Sequence, residues 1–515
     1  VFFTEFILFR NLKNPAMKTK TTLFVMLTFL FAVPLFGQTV DELKKQSEQD
    51  MQRMRQQQEQ LMGKMQQDFN AFVQQADREF AAFLKQSWKE FEAFRAKRAP
   101  LNPKPLTFPR FNPETTPVPS QQKEIIPLPV VTPAPLPKQN PPVAMAPEES
   151  LSKTGLLPVR FLFYGREIQL QANRKLNQLF PANYNRRTVS RWWTLCSRTE
   201  YGVLVNGLLA EKENLQLNDW GYFQLVKAAA KQLAPQNPTH ALLLSWFIMI
   251  HSGYDMKIAS SRGNLFLLFP ADGEVYERKY IVVKNRTYYF DTPSQVSTFQ
   301  TYDYIFPKAT RRIDLTMKRS PLLGENTLVK TVSFSFRGRK YTFPVVLNRE
   351  NLQFVRNYPM TSLPVYFDAS MPGVTRVSLD HALKNVLQEM DLNTRIAFLL
   401  HFVQTAFAYE TDQQQFGREK FFFPQELFYY KGSDCEDRAV LFTWLVRHFT
   451  KLPVIGLVYP DHVSAAVAAP GNMPGDYVLY HGKKYWVTDP TYIGAPPGVS
   501  MPRYRNIPPK VIPVN

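Results

Sequence analysis

Fifteen of the chain's 41 prolines fall between residues 99 and 150. Proline has no amide N–H and a locked φ, so a stretch such as "PLPVVTPAPLPKQNPP" cannot supply the donors of a helix or a sheet ladder. The expectation for 99–150 is a semi-rigid extended spacer. At about 3.1 Å per residue it would hold the parts on either side up to ~150 Å apart. A chain of 515 residues exceeds one ordinary core, so several globular units are expected beyond the spacer.

Ahead of the spacer lie two segments of different character. Residues 17–37, "MKTKTTLFVMLTFLFAVPLFG", carry Lys18 and Lys20, an apolar body from Leu23 to Phe36 and the small residue Gly37. This is the pattern of a signal peptide. Its apolar run of about 14 residues is shorter than the roughly 20 that span a bilayer. The mature chain is therefore expected to be exported, periplasmic or secreted, without a transmembrane helix. Residues 40–98 are polar, Gln-rich and proline-free, and read as a long helix. Within them an acid-Phe-x-Ala-Phe motif recurs every 11 residues, which puts Phe69/Phe72, Phe80/Phe83 and Phe91/Phe94 on one stripe. Such a stripe asks for a partner: a second copy in a coiled coil, the chain's own body, or another envelope component.

Lysine and arginine outnumber aspartate and glutamate 62 to 43, a net charge of +19. That attracts anionic surfaces, acidic glycans or acidic proteins. No zinc-finger spacing, RNP motif or recognition helix accompanies the charge, so nucleic acid is not an expected partner. Cys196 and Cys435 are too few and too far apart for a disulfide scaffold, and both are expected to be free.

Beyond the spacer three segments are distinguished. Residues 157–295 open with a hairpin, "VRFLFYG" and "REIQLQA", then read as helical over 177–252 and strand-like over 256–291. Residues 296–372 read as a β-rich module, with strand signals in "RRIDLTMKR", "KTVSFSF", "RKYTFPVVL" and "LPVYFDA". Residues 378–515 hold helices up to residue 450, then the short strands "PVIGLVY", "HVSAAVAA", "GDYVLYHG" and "KKYWVTD".

The chemistry points to "KGSDCEDRAVLFTWLVRHFT". Cys435 follows a turn and capping sequence and heads an apolar helix, where free N–H groups and the helix dipole stabilise a thiolate. Asp434, Glu436 and Asp437 oppose a thiolate, so a base close by becomes necessary. His448 is on the same helix and roughly 20 Å along its axis. His401 is mid-helix and His481 sits in a hairpin turn. His462 opens a strand of small residues, and Asp489 ends the aromatic strand "KKYWVTD"; two adjacent strands facing one helix terminus can bring both to Cys435. The plainer alternative for Cys435 is a buried apolar thiol.

"GSDCEDRAVLFTWL", "DHVSAAV" and "YWVTDPTY", in that order, resemble the Cys, His and Asp boxes of the transglutaminase-like superfamily. The upstream "FFFPQELFYYKGSDCEDRA" is most similar to bacterial transglutaminase-like cysteine peptidases, and the resemblance covers about residues 378–500. It implies Cys435 as nucleophile, His462 as general base and acid, and Asp489 as the residue that orients His462. The Cys435 amide would be one oxyanion donor, with Gln404 or Tyr409 as the upstream side-chain donor. In some relatives the acids flanking the cysteine hold calcium; Asp434 and Glu436 match those positions, although a solvated helix start explains them equally well.

A shift of 198 residues lays Trp246 on Trp444 and Asp291 on Asp489, while Asn237 meets Cys435 and Asn264 meets His462. Residues 177–295 thus read as a degenerate transglutaminase-like unit, or as a chance match. The fold class expected is α+β: a papain/transglutaminase-like C-terminal domain with a helix-borne cysteine on a small antiparallel sheet, preceded by the β-rich module, the degenerate unit, the spacer and the long helix. The expected function is that of an exported cysteine hydrolase, a peptidase or amidase cleaving an amide bond in a protein or peptide. The alternatives are a non-catalytic envelope scaffold and an amine-transferring cross-linker.

Overall fold

From Val40 to Gln86 the sequence has no proline and one glycine, Gly63, and it forms a single helix, α1 (Val40–Gln86). In this computed structural model the described residues are 40–100, 110–112, 120–127, 155–178, 181, 183–293 and 297–514; residues 17–37, expected to be a signal peptide, and most of 99–150 lie outside them. The chain divides into two units, Val1–Phe69 and Asn70–Asn515. In the first, the described residues are helical, and Met51, Met54, Leu61, Met62 and Met65 are exposed. Among the described residues no helix is long and apolar enough to cross a membrane.

The third Phe pair does not stay on the helix. After Gln86 the chain turns into the short strands β1 (Lys89–Glu92) and β2 (Phe94–Arg95), so Phe91 and Phe94 leave the 11-residue stripe. Pairing with an open sheet edge, Lys89 opposite Thr301 through Glu92 opposite Thr298, replaces the helical hydrogen bonds there. Phe80 turns into the chain's own body: it is fully buried, its ring 4.7 Å edge-on to Trp193 and 5.5 Å from Phe306.

The second unit is built twice on one plan. The first copy begins with the hairpin β5 (Leu156–Phe163) and β6 (Arg166–Asn173). Helices α2 (Arg186–Cys196), α3 (Gly202–Asn214), α4 (Asp219–Leu233) and α5 (Pro238–His251) follow. Then come β7 (Lys257–Ser261), β8 (Asn264–Phe269), β9 (Ala271–Asp272), β10 (Lys279–Val283), β11 (Arg286–Phe290) and β12 (Thr298–Thr301). After β13 (Ile313–Asp314) the plan restarts with the hairpin β14 (Thr327–Phe336) and β15 (Arg339–Asn348). It continues through α6 (Gly373–Gln388), α7 (Leu392–Ala406), the short pair β16 (Ala408–Tyr409) and β17 (Gly432–Ser433), and α8 (Cys435–Thr450). It closes with β18 (Val454–Tyr459), β19 (His462–Val467), β20 (Tyr477–Tyr480), β21 (Lys483–Thr488) and β22 (Lys510–Pro513).

The five-stranded core orders are β12-β7-β8-β11-β10 and β22-β18-β19-β21-β20, antiparallel throughout and identical position for position. The 198-residue shift carries β8 onto β19 end to end. Matched hairpins turn alike: Lys284 and Asn285 in the first copy, His481 and Gly482 in the second, all have positive φ, the backbone of a two-residue turn that follows strand twist.

Residues 296–372 are therefore divided between the copies rather than forming a module of their own. β12 completes the first sheet, and the β14–β15 hairpin packs on α6 and α7 of the second. "LPVYFDA" is not a strand; Leu363–Phe367 is a short helix with Pro364 in its first turn, where the missing N–H costs nothing.

The described part of the proline-rich segment also departs from the spacer expectation. β3 (Gln122–Lys123) runs parallel to β20 at one edge of the second sheet, and β4 (Ile126–Pro127) runs parallel to β22 at the other. Phe111 donates its amide to the Ile493 carbonyl at 2.9 Å. Two-residue pairings, one of them ending on Pro127, suffice to bind such a segment to a sheet edge, since no continuous ladder is needed.

Candidate active site

α8 is buried from Cys435 to Val446, its charged residues included, and packs on β18 and β19 as the central helix of the second copy. Its N-cap is Asp434, whose own N–H is accepted by the Asp437 carboxylate at 3.4 Å. Cys435 is thus the first helical residue, where backbone N–H groups lack intrahelical partners. Both cysteines are free and buried.

His462 begins β19, and Asp489 follows directly after the neighbouring strand β21. The two side chains meet at 2.8 Å between His462 Nε2 and Asp489 Oδ2, fully enclosed by protein. Asp489 is held in turn: its other oxygen accepts the amides of Thr491 at 2.9 Å and Tyr492 at 3.2 Å. The His462 ring lies against Tyr504, 4.9 Å between centroids and 12° from parallel, with Tyr459 behind at 6.1 Å. With Nε2 committed to Asp489, Nδ1 is buried and has no hydrogen-bond partner.

The Cys435 thiol does not point to that nitrogen; it donates to Glu436 Oε2 at 3.2 Å. Burial pushes its pKa well up, and the Glu436 and Asp434 carboxylates push it further. The backbone N–H of Val463, the residue after His462, acts in the opposite direction on the same sulfur. The acids are not a solvated helix start, as the sequence alternative had it. Asp434, Glu436 and Asp437 are all buried, and burial followed by mutual repulsion raises each carboxyl.

A fourth acid joins them. Asp412, carried by the connection between α7 and α8, offers an oxygen that lies with one each from Asp434 and Glu436 inside 4.8 Å. Burial lifts Asp412 to about 7. Asp434 Oδ1 and Glu436 Oε1 are buried without a partner. Three hard oxygen donors from buried residues, two of which also carry an orphaned carboxylate oxygen, fit a divalent cation of the calcium type. Asp412 gave no signal in the sequence because it lies 22 positions before Asp434 and is brought near by the fold, where its amide donates to Asp434 Oδ2 at 3.2 Å.

Gln404 does not reach the thiol as an oxyanion donor. Its side-chain nitrogen donates to the carbonyls of Asp489 at 3.0 Å, Tyr492 at 2.7 Å and Ala495 at 3.1 Å. Its role is to fix the loop that carries Asp489. Tyr409 stays beside the site: its ring faces the Arg438 guanidinium at 5.4 Å, and burial with the charges of Cys435 and its acids keeps the phenol protonated. Among the remaining histidines, His448 is 2.6 Å from Asp380 and stacks on Trp444.

At the corresponding places the first copy has other groups. Asn237 caps α5 by accepting the His240 amide at 2.9 Å, Asn264 opens β8, and Asp291 pairs with Lys227 at 2.7 Å. No thiol or imidazole stands at those three positions. The chain matches no family model, no curated protein and no solved structure.

Proposed function

We propose that the second copy is a papain/transglutaminase-like catalytic domain and that the protein is an exported cysteine hydrolase cleaving an amide bond in a protein or peptide. The observation that carries this is the enclosed His462 ring, oriented through Nε2 by Asp489 and left with an uncommitted Nδ1 at the strand that packs against the Cys435 helix.

In this reading the Cys435 side chain turns from Glu436 and gives its proton to His462 Nδ1. The sulfur then attacks the carbonyl carbon, and the oxyanion meets the Cys435 backbone N–H at the helix start, with Tyr409 as a second donor. His462 passes the proton to the nitrogen as the C–N bond breaks. Water, deprotonated by His462, releases the acyl group and restores the thiol. Were a lysine amine to replace water, the same steps would give a cross-link. Asp412, Asp434 and Glu436 would hold a calcium-type cation. When bound, it would supply the positive charge that lets these carboxylates ionise beside the thiol.

The rival reading, a non-catalytic scaffold, is favoured by one observation, the bond of the buried thiol to Glu436 rather than to His462. Alkylation separates the two. With iodoacetamide near pH 6 in calcium-containing buffer, Cys435 is expected to label far faster than Cys196, and His462→Ala is expected to slow it about 10²-fold. A Cys435 that reacts no faster than Cys196 in the folded protein would overturn the catalytic reading.

A further inference from the structure

Lys123 comes from the proline-rich segment, outside both copies, yet it is buried, with only 4% of its surface exposed. Its ammonium donates to the Tyr504 carbonyl at 2.7 Å and to the Tyr459 hydroxyl at 3.3 Å, and lies 5.1 Å from the centre of the Tyr459 ring. These are the two rings stacked behind His462, and they touch each other at 5.0 Å. Burial lowers the amine's pKa to about 8, and the Asp476 and Asp489 carboxylates act against that fall. A buried cation persists only where it is paired and hydrogen-bonded. Here its acceptors are the tyrosines that back the catalytic ring, and its field reaches the carboxylate that orients it.

The main chain explains how a lysine from a distant segment arrives there. Only residues 124 and 125 separate β3, on the β20 edge, from β4, on the β22 edge. The segment thus bridges both edges of one sheet, and Phe111 and Ile125 pack on the sheet face that carries Tyr459 and Tyr504.

We infer that Lys123 is a positioning residue for His462 and Asp489, supplied by an N-terminal strap that completes the catalytic sheet. Resting on the proposed triad, it clamps the Tyr459–Tyr504 stack against which the His462 ring lies. His462 then keeps its ring orientation, with Nε2 on Asp489 and Nδ1 left uncommitted.

The test uses the full chain and site-resolved mass spectrometry of iodoacetamide labelling at Cys435. Lys123→Met is expected to slow labelling about tenfold, and Lys123→Arg to restore it to within about threefold. In a His462→Ala background Lys123→Met is expected to add nothing, because its effect passes through the imidazole. Labelling of Lys123→Met at the native rate, while His462→Ala is slow, overturns the inference and leaves the triad intact. Equal slowing by Lys123→Met with and without His462 also overturns it, since that marks a merely structural residue. No effect of His462→Ala brings down the triad and the inference together. Should Lys123→Met fail to fold, Tyr459→Phe removes the hydroxyl that Lys123 meets while keeping the ring; a few-fold slowing supports the inference, and an unchanged rate overturns it.

Discussion

At Gln404 a single amide nitrogen serves three carbonyls around Asp489, and the Gly494 amide donates back to its oxygen at 3.2 Å. Replacing it with leucine would leave those buried acceptors without donors. Gln404→Leu is expected to cost on the order of 2–3 kcal/mol in chemical denaturation; an unchanged midpoint would mean that the loop is held by something else. The acid cluster makes a second prediction at this scale. A cation that binds only the folded chain stabilises it by about 2.7 kcal/mol at a hundred times its dissociation constant. Calcium is therefore expected to raise the unfolding midpoint, a chelator to lower it, and Asp412→Asn or Glu436→Gln to abolish the response. A midpoint insensitive to calcium would dismiss the cation. Cys435, His462 and Asp489 were legible in the sequence because each opens or closes an element with its own apolar pattern. Asp412 and Lys123 were not, because each becomes relevant through a neighbour far away in sequence.

Helix α1 shows how tertiary contacts select among local options. Its Phe80 lies among Trp193, Trp246, Tyr302 and Phe306, and truncation to alanine is expected to cost ~3–5 kcal/mol of stability. One turn earlier, burial raises Asp77 to about 8, and the carboxyl accepts the Trp193 indole N–H at 2.9 Å. His251, 3.4 Å away, is lowered by burial to about 3. The folded chain keeps the Asp77 proton that the unfolded chain loses near pH 4, so this group makes stability fall as pH rises toward about 8. His251 works the other way, but only below its unfolded pKa of about 6.5. Between about pH 6.5 and 8 Asp77 alone is expected to lower stability by roughly 1 kcal/mol per pH unit, on top of what the buried acids around Asp412 contribute, and Asp77→Asn should reduce the slope by that much. Denaturation midpoints at the two ends of the window would reveal it; a native chain with no slope there refutes the buried neutral acid. The 11-residue repeat was visible in the sequence, but its last Phe pair obeys the sheet edge that it meets.

On the scale of the whole molecule, two copies of one α+β plan are tied to a preceding segment that gives edge strands to both sheets. β1 and β2 pair with β12 and β10 in the first copy, as β4 and β3 pair with β22 and β20 in the second. Open sheet edges are sites of mispairing and association. A chain beginning at residue 155 is expected to unfold less cooperatively and to self-associate, and a peptide of residues 110–127 should raise its midpoint. If the shortened chain unfolds at the native temperature, the edge pairings carry no stability.

The sequence by itself determined what is local or periodic: the proline-free helix, the hairpin turns and the capped helix that begins at Cys435; the 198-residue echo it left open against a chance match. Those follow from backbone preferences and side-chain spacing within a few residues. Tertiary structure alone decided the rest. It diverted Phe91 and Phe94 into two short strands, drew the proline-rich segment onto both edges of a sheet, and enclosed Lys123 and Asp412 beside residues hundreds or tens of positions away. Burial and charge pairing depend on which surfaces meet, and no window of sequence contains both partners.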